Sequence, residues 1–276
     1  MKKNIRLILA DIDGTLQERG CPVNSVTSKA LNKAHEEGIC IGIASGRAVN
    51  AQMKAKAQEW HLNFEFDVLI GMNGGQIYDR ETDETEVLYP LSCGTIRDII
   101  GLMKPLHRNA FTYEGDHFIA KEHTSLIEDS AVRNQLAVET TGYDDPSLFW
   151  RHERNKVMYR FDPALTEETL AYLAQYGQDP RFCYVMGGPG ILEFQDVRVN
   201  KGAAMLRYAE KKQIPVPEIM ALGDEQNDYE LLKEAGYGVC MRNGCEACRN
   251  IADAVTEYTA VEGGAGRFLL EHLLDE

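Results

Sequence analysis

Apolar residues in this chain come in short, nearly continuous runs separated by longer mixed stretches. Residues 5–10 (IRLILA) form the first such run and stop at a charged turn. A run of that length suits a strand buried on both faces. Residues 25–37 predict a helix, with Ser25 placed to cap it and Gly38 just past its end. Residues 39–44 (ICIGIA) predict a second buried strand, 48–60 a helix, and 68–73 (VLIGMN) a third strand. Strands and helices alternating in this order predict a parallel sheet with right-handed crossovers.

The pattern changes after Asn73. Residues 73–90 read as a hairpin or a flexible exit from the sheet. A helix is then expected near 92–107, followed by two short strands around Glu114-Gly115-Asp116. A strand at 155–161, a helix at 164–176 and two strands within 182–194 around a Gly/Pro turn complete an α+β pattern with an antiparallel sheet. The parallel pattern returns with a helix at 201–213, a strand at 218–222, a helix at 227–235 and a short strand at 238–240. The expected class is α/β: a doubly wound, Rossmann-like parallel sheet core with an inserted α+β domain. The core takes residues 1–83 and 195–276, and the insertion takes 84–194.

Length agrees with two domains. The chain has 276 residues, 44% of them hydrophobic, and single cores stop growing above roughly 250 residues. With 29 Lys and Arg against 43 Asp and Glu, the net charge is -14. That excess argues against a nucleic-acid or anionic-membrane partner. A small phosphate can still bind if a local positive charge or a metal receives it. No apolar run approaches the roughly 18 residues of a membrane span. The apolar stretch after Lys2 and Lys3 is too short for a secretory signal, so the expected compartment is the cytoplasm. The seven cysteines are scattered and read as reduced thiols. Cys245 and Cys248 make one CxxC, but a structural zinc site needs a second pair. His117 and His123 lack the helical spacing of a zinc pair. Oligomeric state is not readable.

Candidate chemistry gathers at the ends of predicted strands, where open α/β sheets bind ligands. Asp11, Asp13, Gly14 and Thr15 follow the first strand; Asp224, Asn227 and Asp228 follow the strand at 218–222. Carboxylates crowded this way repel by roughly 4 kcal/mol at about 4 Å and an effective dielectric of about 20. A hard cation between them, Mg²⁺ or Ca²⁺, would relieve that repulsion. An EF-hand is excluded, because its required glycine and glutamate would fall on Leu16 and Pro22. Ser45, Gly46 and Arg47 follow the second strand, where a hydroxyl and free N–H groups suit a phosphate. Asn73, Gly74 and Gly75 follow the third strand, and Lys201 opens a helix with a charge that a phosphate could use.

The order DxDGT, S-G-R, N-G-G, N-K-G and GDxxND resembles the haloacid dehalogenase-like hydrolases. The large insertion between Gly75 and Lys201 resembles that of the Cof-type subfamily, which carries an α+β cap there. Ser45 stands where threonine is usual, Gly75 where alanine is usual, and Thr259 and Gly263 replace an asparagine and an aspartate of the tail. The resemblance implies a Mg²⁺-dependent phosphatase acting on small phosphomonoesters, sugar phosphates or phosphorylated cofactors. Asp11 would be the nucleophile and Asp13 the general acid and base. Ser45, Gly46, Gly14 and Lys201 would hold the phosphoryl group. The cation would take the Asp11 carboxylate, the Asp13 backbone carbonyl and the Asp224 carboxylate, with Asp228 either a ligand or a support behind one. Arg47, Asn73 and Asn227, with Tyr113, His117, Tyr159 and Tyr184 of the insertion, are candidate substrate contacts. A phosphosugar mutase shares every core residue, and a non-catalytic phospho-ligand sensor is the alternative of a different class.

Overall fold

The computed structural model describes residues 4–141 and 146–274; Lys2 and Lys3 lie outside them. The chain divides into two compact units, Met1–Glu86 with Asn200–Glu276, and Val87–Val199.

The first unit opens with β1 (Leu7–Ala10), α1 (Ser25–Glu36) and β2 (Cys40–Ala44). Asn24, not the expected Ser25, caps α1: its side chain accepts from Val26 N–H at 3.0 Å, and it also donates to Val261 O at 2.9 Å. The helix expected over 48–60 is two short ones, α2 (Ala51–Lys54) and α3 (Lys56–Glu59). It starts late because its leading backbone is committed elsewhere. Arg47 O accepts from Met72 N–H at 2.8 Å, and Val49 N–H donates to Gln76 at 2.8 Å. Strand β3 (Val68–Gly71) ends before Asn73, which sits in a tight turn at φ 57°. The hairpin strands β4 (Gln76–Asp79) and β5 (Glu84–Val87) follow.

The second unit begins with α4 (Cys93–Met103), β6 (Asn109–Glu114) and β7 (His117–Ala120). Helix α4 is shorter than expected because residues 104–106, with Pro105, tighten into a 3₁₀ turn. The strands β6 and β7 pair antiparallel around Gly115, as the turn residues predicted. Two elements that sequence reasoning left unassigned follow, α5 (Ser125–Asn134) and β8 (Ala137–Thr140). Three of the four β8 residues are exposed, so the strand carries no apolar signature. Then come β9 (Lys156–Arg160), α6 (Thr166–Tyr176), β10 (Phe182–Gly188) and β11 (Ile191–Asp196). The sheet order is β10-β11-β9-β6-β7-β8, antiparallel except between β7 and β8. Strand alternation sends Tyr159, Leu192 and Phe194 into one cluster with α4 and α6. It sends Phe111, Phe118 and Met158 into another with α5.

The chain re-enters the first unit through α7 (Lys201–Lys211), β12 (Ile219–Gly223), α8 (Tyr229–Glu234) and β13 (Tyr237–Cys240). The helix expected over 227–235 is a 3₁₀ turn at residues 226–228 followed by α8. Past residue 240, α9 (Glu246–Ile251), β14 (Ala254–Val255) and α10 (Gly264–His272) complete it. The sheet runs β14-β13-β12-β1-β2-β3-β4-β5. Every pair from β14 to β3 is parallel, and β4 turns back antiparallel on β3. Strand β1 is central and wholly buried. Ile8, Ala10, Ile41, Ile43 and Leu222 pack under α1 and α10, while α7 and α8 pack against each other and against strands β3, β4, β12 and β13. Among the described residues no helix is long and apolar enough to cross a membrane.

Helix glycines separate packing from propensity. An alanine at Gly202 in α7 would place Cβ 2.4 Å from Glu230 O, whereas Gly101 in α4 has open space around it. Gly202→Ala is expected to cost about 1–3 kcal/mol through overpacking. Gly101→Ala is expected to gain about 0.5–1 kcal/mol. Denaturant unfolding of both variants checks the contrast in sign.

Candidate active site

Sheet topology decides which side chains meet. Strands β1 and β12 are parallel neighbours with Ala10 opposite Leu222. Asp11 and Asp224 therefore leave the same sheet edge side by side, and Asp11 N–H still donates to Leu222 O at 3.0 Å. Asp228 turns back over the loop: its Oδ2 accepts from the N–H groups of Asp224 (3.0 Å) and Glu225 (3.1 Å). Carboxylate oxygens of Asp11, Asp224 and Asp228 all lie within 4.8 Å of one another.

Lys201, the first residue of α7, is completely buried. Its Nζ donates to Asp11 Oδ1 and to Asp228 Oδ1, each at 2.6 Å. Thr15 Oγ1 donates to Asp224 Oδ1 at 2.7 Å. Gly14 has φ 91°, and a Cβ there would lie 2.2 Å from Asp224 Oδ2, so the turn after β1 needs glycine for both conformation and space.

Ser45 follows β2 and is buried; its Oγ accepts from Arg47 N–H at 3.3 Å. Arg47 Nη2 bonds both oxygens of Asp13, at 2.9 and 2.6 Å. This fixes the Asp13 carboxylate against the Ser45–Arg47 turn. Asp13's side chain is not among the clustered carboxylates. Asn73 N–H donates to Ser45 O at 3.0 Å, and its side chain accepts from Asn227 Nδ2 at 3.2 Å. A Cβ on Gly46 would come within 3.0 Å of Asn73 Oδ1. Asn73 and Asn227 thus brace the loops against each other.

Sequence reasoning missed Asn243. Its Nδ2 donates to Gly14 O at 2.8 Å, and its Oδ1 accepts from Ala260 N–H at 3.2 Å, which ties the first loop to the tail. The available signal was the one used for the other sites, a polar residue shortly after a buried strand, here β13.

The four candidates of the second unit do not share a surface. Tyr113 packs with Phe118 in the α5 cluster, while Tyr159 and Tyr184 belong to the opposite cluster. Tyr159 is a correction. It is buried, its hydroxyl donates to Ile99 O at 3.5 Å, and the ring is core rather than a substrate contact. Burial raises its phenol far above the usual range. His117 faces Glu139 at 3.3 Å.

The carboxylates carry an electrostatic debt. Burial, more than the pull of Lys201 can offset, raises Asp11 to about 7. Burial and then the charges of Asp11 and Asp228 raise Asp224 to about 8. Burial pulls Lys201 down, yet Asp11 and Asp228 outweigh it and keep the ammonium charged. Lys201 pairs with two of the three clustered carboxylates, Asp224 is left with the Thr15 hydroxyl, and every remaining donor is a hard oxygen. The donor set and its excess negative charge fit a hard divalent cation.

Because the folded values of Asp11 and Asp224 lie above the ordinary carboxylate value of 3.8, the folded chain holds extra protons between pH 4 and pH 8. That stabilisation is complete below the unfolded value and is lost as pH rises through about 7 and 8. In chelator, the melting temperature of the wild type is expected to fall between pH 5 and pH 8 more steeply than that of Asp224→Asn. Equal slopes would contradict the assignment.

Comparison with known proteins agrees with this geometry. A family model described as haloacid dehalogenase-like hydrolase matches residues 8–269. The phosphoglycolate phosphatase of Methanopyrus kandleri is 29% identical over 273 residues, covering 98% of this chain and 97% of its own. The 5-amino-6-(5-phospho-D-ribitylamino)uracil phosphatase of Bacillus subtilis is 25% identical, with 98% and 97% covered. A solved haloacid dehalogenase-like hydrolase from Bacteroides thetaiotaomicron shares the fold, with a TM-score of 0.83 at 24% identity over 96% of this chain and 98% of its own. A match running from the first strand to the last helix carries both halves of the core and everything between them: this chain belongs to the haloacid dehalogenase-like hydrolases.

Proposed function

We propose that this enzyme is a Mg²⁺-dependent phosphatase that hydrolyses small phosphomonoesters by phosphorylating Asp11. The observation that carries the reading is the buried contact of Lys201 Nζ with Asp11 Oδ1 at 2.6 Å, beside the Asp224 and Asp228 carboxylates. Lys201 holds one oxygen of Asp11 and leaves Oδ2 to attack phosphorus in line. The ammonium, the Ser45 hydroxyl and the backbone amides of Gly46 and Gly14 receive the transferring oxygens. Asp13 protonates the leaving alkoxide, then takes a proton from the water that cleaves the aspartyl-phosphate. Arg47 sets the position of Asp13 through its contacts with both carboxylate oxygens. Asp11, Asp224 and Asp228, with the Asp13 carbonyl, would hold Mg²⁺. The bound ion would offset repulsion between the anionic nucleophile and the phosphate dianion.

Residues 84–194 then serve as the module that selects substrate, with Tyr113, His117 and Tyr184 as its remaining candidates and Arg47, Asn73 and Asn227 bracing the core loops. The relatives' names support phosphorylated small molecules as the class, within which sugar phosphates and phosphorylated cofactors are the substrates to try first.

Phosphate release from a panel of such esters, with Mg²⁺ and with chelator, tests the reading. Release is expected only with Mg²⁺, and Asp11→Asn is expected to abolish it. Asp13→Asn is expected to slow release from alkyl esters by about 10²–10⁴-fold. It should slow p-nitrophenyl phosphate far less, since that leaving group needs no proton. Full activity of Asp11→Asn would end the covalent mechanism, and transfer of phosphate to a second sugar phosphate would make the enzyme a mutase.

A further inference from the structure

Three cysteines border the loop that carries Asp224 and Asp228. Cys240 ends β13, Cys245 immediately precedes α9, and Cys248 lies in the first turn of α9. Cys240 and Cys248 are buried, whereas Cys245 is partly exposed. Cys245 and Cys248 stand three residues apart across the first turn of α9. The turn between them is closed by backbone bonds on both sides of Cys245. Its N–H donates to Asp224 O at 2.8 Å, and its carbonyl accepts from Arg249 N–H at 3.0 Å.

Cys248 also reaches the candidate site. Its Sγ donates to Glu225 O at 3.1 Å. Glu225 lies between the two acidic residues, and its N–H donates to Asp228 Oδ2 at 3.1 Å. Burial, and then the neighbouring Cys245, push the Cys248 thiol well above the usual range, so it keeps the hydrogen that Glu225 O receives. The mechanism proposed above uses none of these sulfurs.

We propose that Cys245 and Cys248 form a modification site, a dithiol that hydrogen peroxide or a low-molecular-weight disulfide converts reversibly to a disulfide, and that this bond loosens the cation site at Asp224 and Asp228. The partly exposed Cys245 sulfur attacks first. It breaks the O–O bond of the peroxide, releasing hydroxide and leaving a sulfenic acid, or breaks the S–S bond of the small disulfide, releasing one thiol and leaving a mixed disulfide. The Cys248 sulfur then displaces water or the second thiol. In sum, two S–H bonds are lost and one S–S bond forms. The two electrons and two protons leave in two waters or two small thiols. A disulfide sulfur has no hydrogen to donate, so Glu225 O loses its bond from Cys248 and the loop behind Asp224 and Asp228 loses a support. Outer contacts of this kind typically change metal affinity by about 10–100-fold.

The coupling to the cation rests on the ligand assignment proposed above, whereas the disulfide does not. The test uses the full-length protein, reduced, then treated with peroxide or oxidised glutathione, and read in two ways. Peptide mass mapping after alkylation is expected to find the segment holding both cysteines lighter by two hydrogens and restored by dithiothreitol. Calorimetric titration with Mg²⁺ is expected to show affinity falling about tenfold on oxidation and recovering on reduction. Cys248→Ser keeps a hydroxyl donor for Glu225 O; it is expected to bind Mg²⁺ like the reduced wild type and to ignore the oxidant. A bridge to Cys240, or oxidation of Cys245 without a bridge, would overturn the site. A Cys245–Cys248 bridge with unchanged Mg²⁺ affinity would overturn the coupling. Absence of Mg²⁺ binding to the reduced protein would overturn the coupling together with the ligand assignment and leave the mass result to decide the disulfide.

Discussion

Lys201 exposes no surface, and its ammonium lies 2.6 Å from both Asp11 and Asp228. Removing a charge from water costs several kcal/mol unless partners compensate, and here the partners come from the two ends of the chain. The same contacts hold both carboxylates in place. Asp224 has no such cation and relies on the Thr15 hydroxyl at 2.7 Å. The loops after β1 and β12 and the start of α7 are consequently one electrostatic unit, and none of them can move without uncovering a buried charge.

That unit exists because of the strand order. β12, β1, β2 and β3 lie side by side and run the same way. Their carboxyl ends deliver Asp224, Asp11, Ser45 and the turn at Asn73 along one edge. Around them the packing is close enough to choose residues. A Cβ on Gly14 would strike the Asp224 carboxylate, and a Cβ on Gly74 would lie 2.2 Å from Asn200 O. The glycines of these turns let backbone and carboxylate approach, which is also how the site reaches its high density of negative charge.

The core strands were legible because a strand buried on both faces must be nearly all apolar; LILA and CIGIA carry that signature without help from neighbours. The hairpin at Glu114–His117 was legible from turn chemistry, whereas the segment beyond Asn73 could be read as a hairpin or a flexible exit. Helix ends were less so, since hydrogen bonds from distant segments set them: Gln76 claims the backbone at Val49, and Asn24 rather than Ser25 reaches the first turn of α1. Among the elements that escaped notice, β8 is largely exposed and α9 and β14 are short, while α5 and α10 are helices of ordinary length.

Sequence alone narrowed which residues could carry chemistry, because carboxylates, a lysine and a serine gathered at the ends of several strands of one sheet, and their order along the chain identified the family. It could not determine partners. Arg47 was a candidate for substrate, and its contact with Asp13 was not foreseen; Tyr159 was a candidate for substrate and is core; Asn243 was overlooked and bonds Gly14 O. Each outcome depends on which side chains the sheet order and strand alternation bring within hydrogen-bonding distance across tens or hundreds of residues. Tertiary structure alone decides that, because a side chain's direction and burial follow from its neighbours in space.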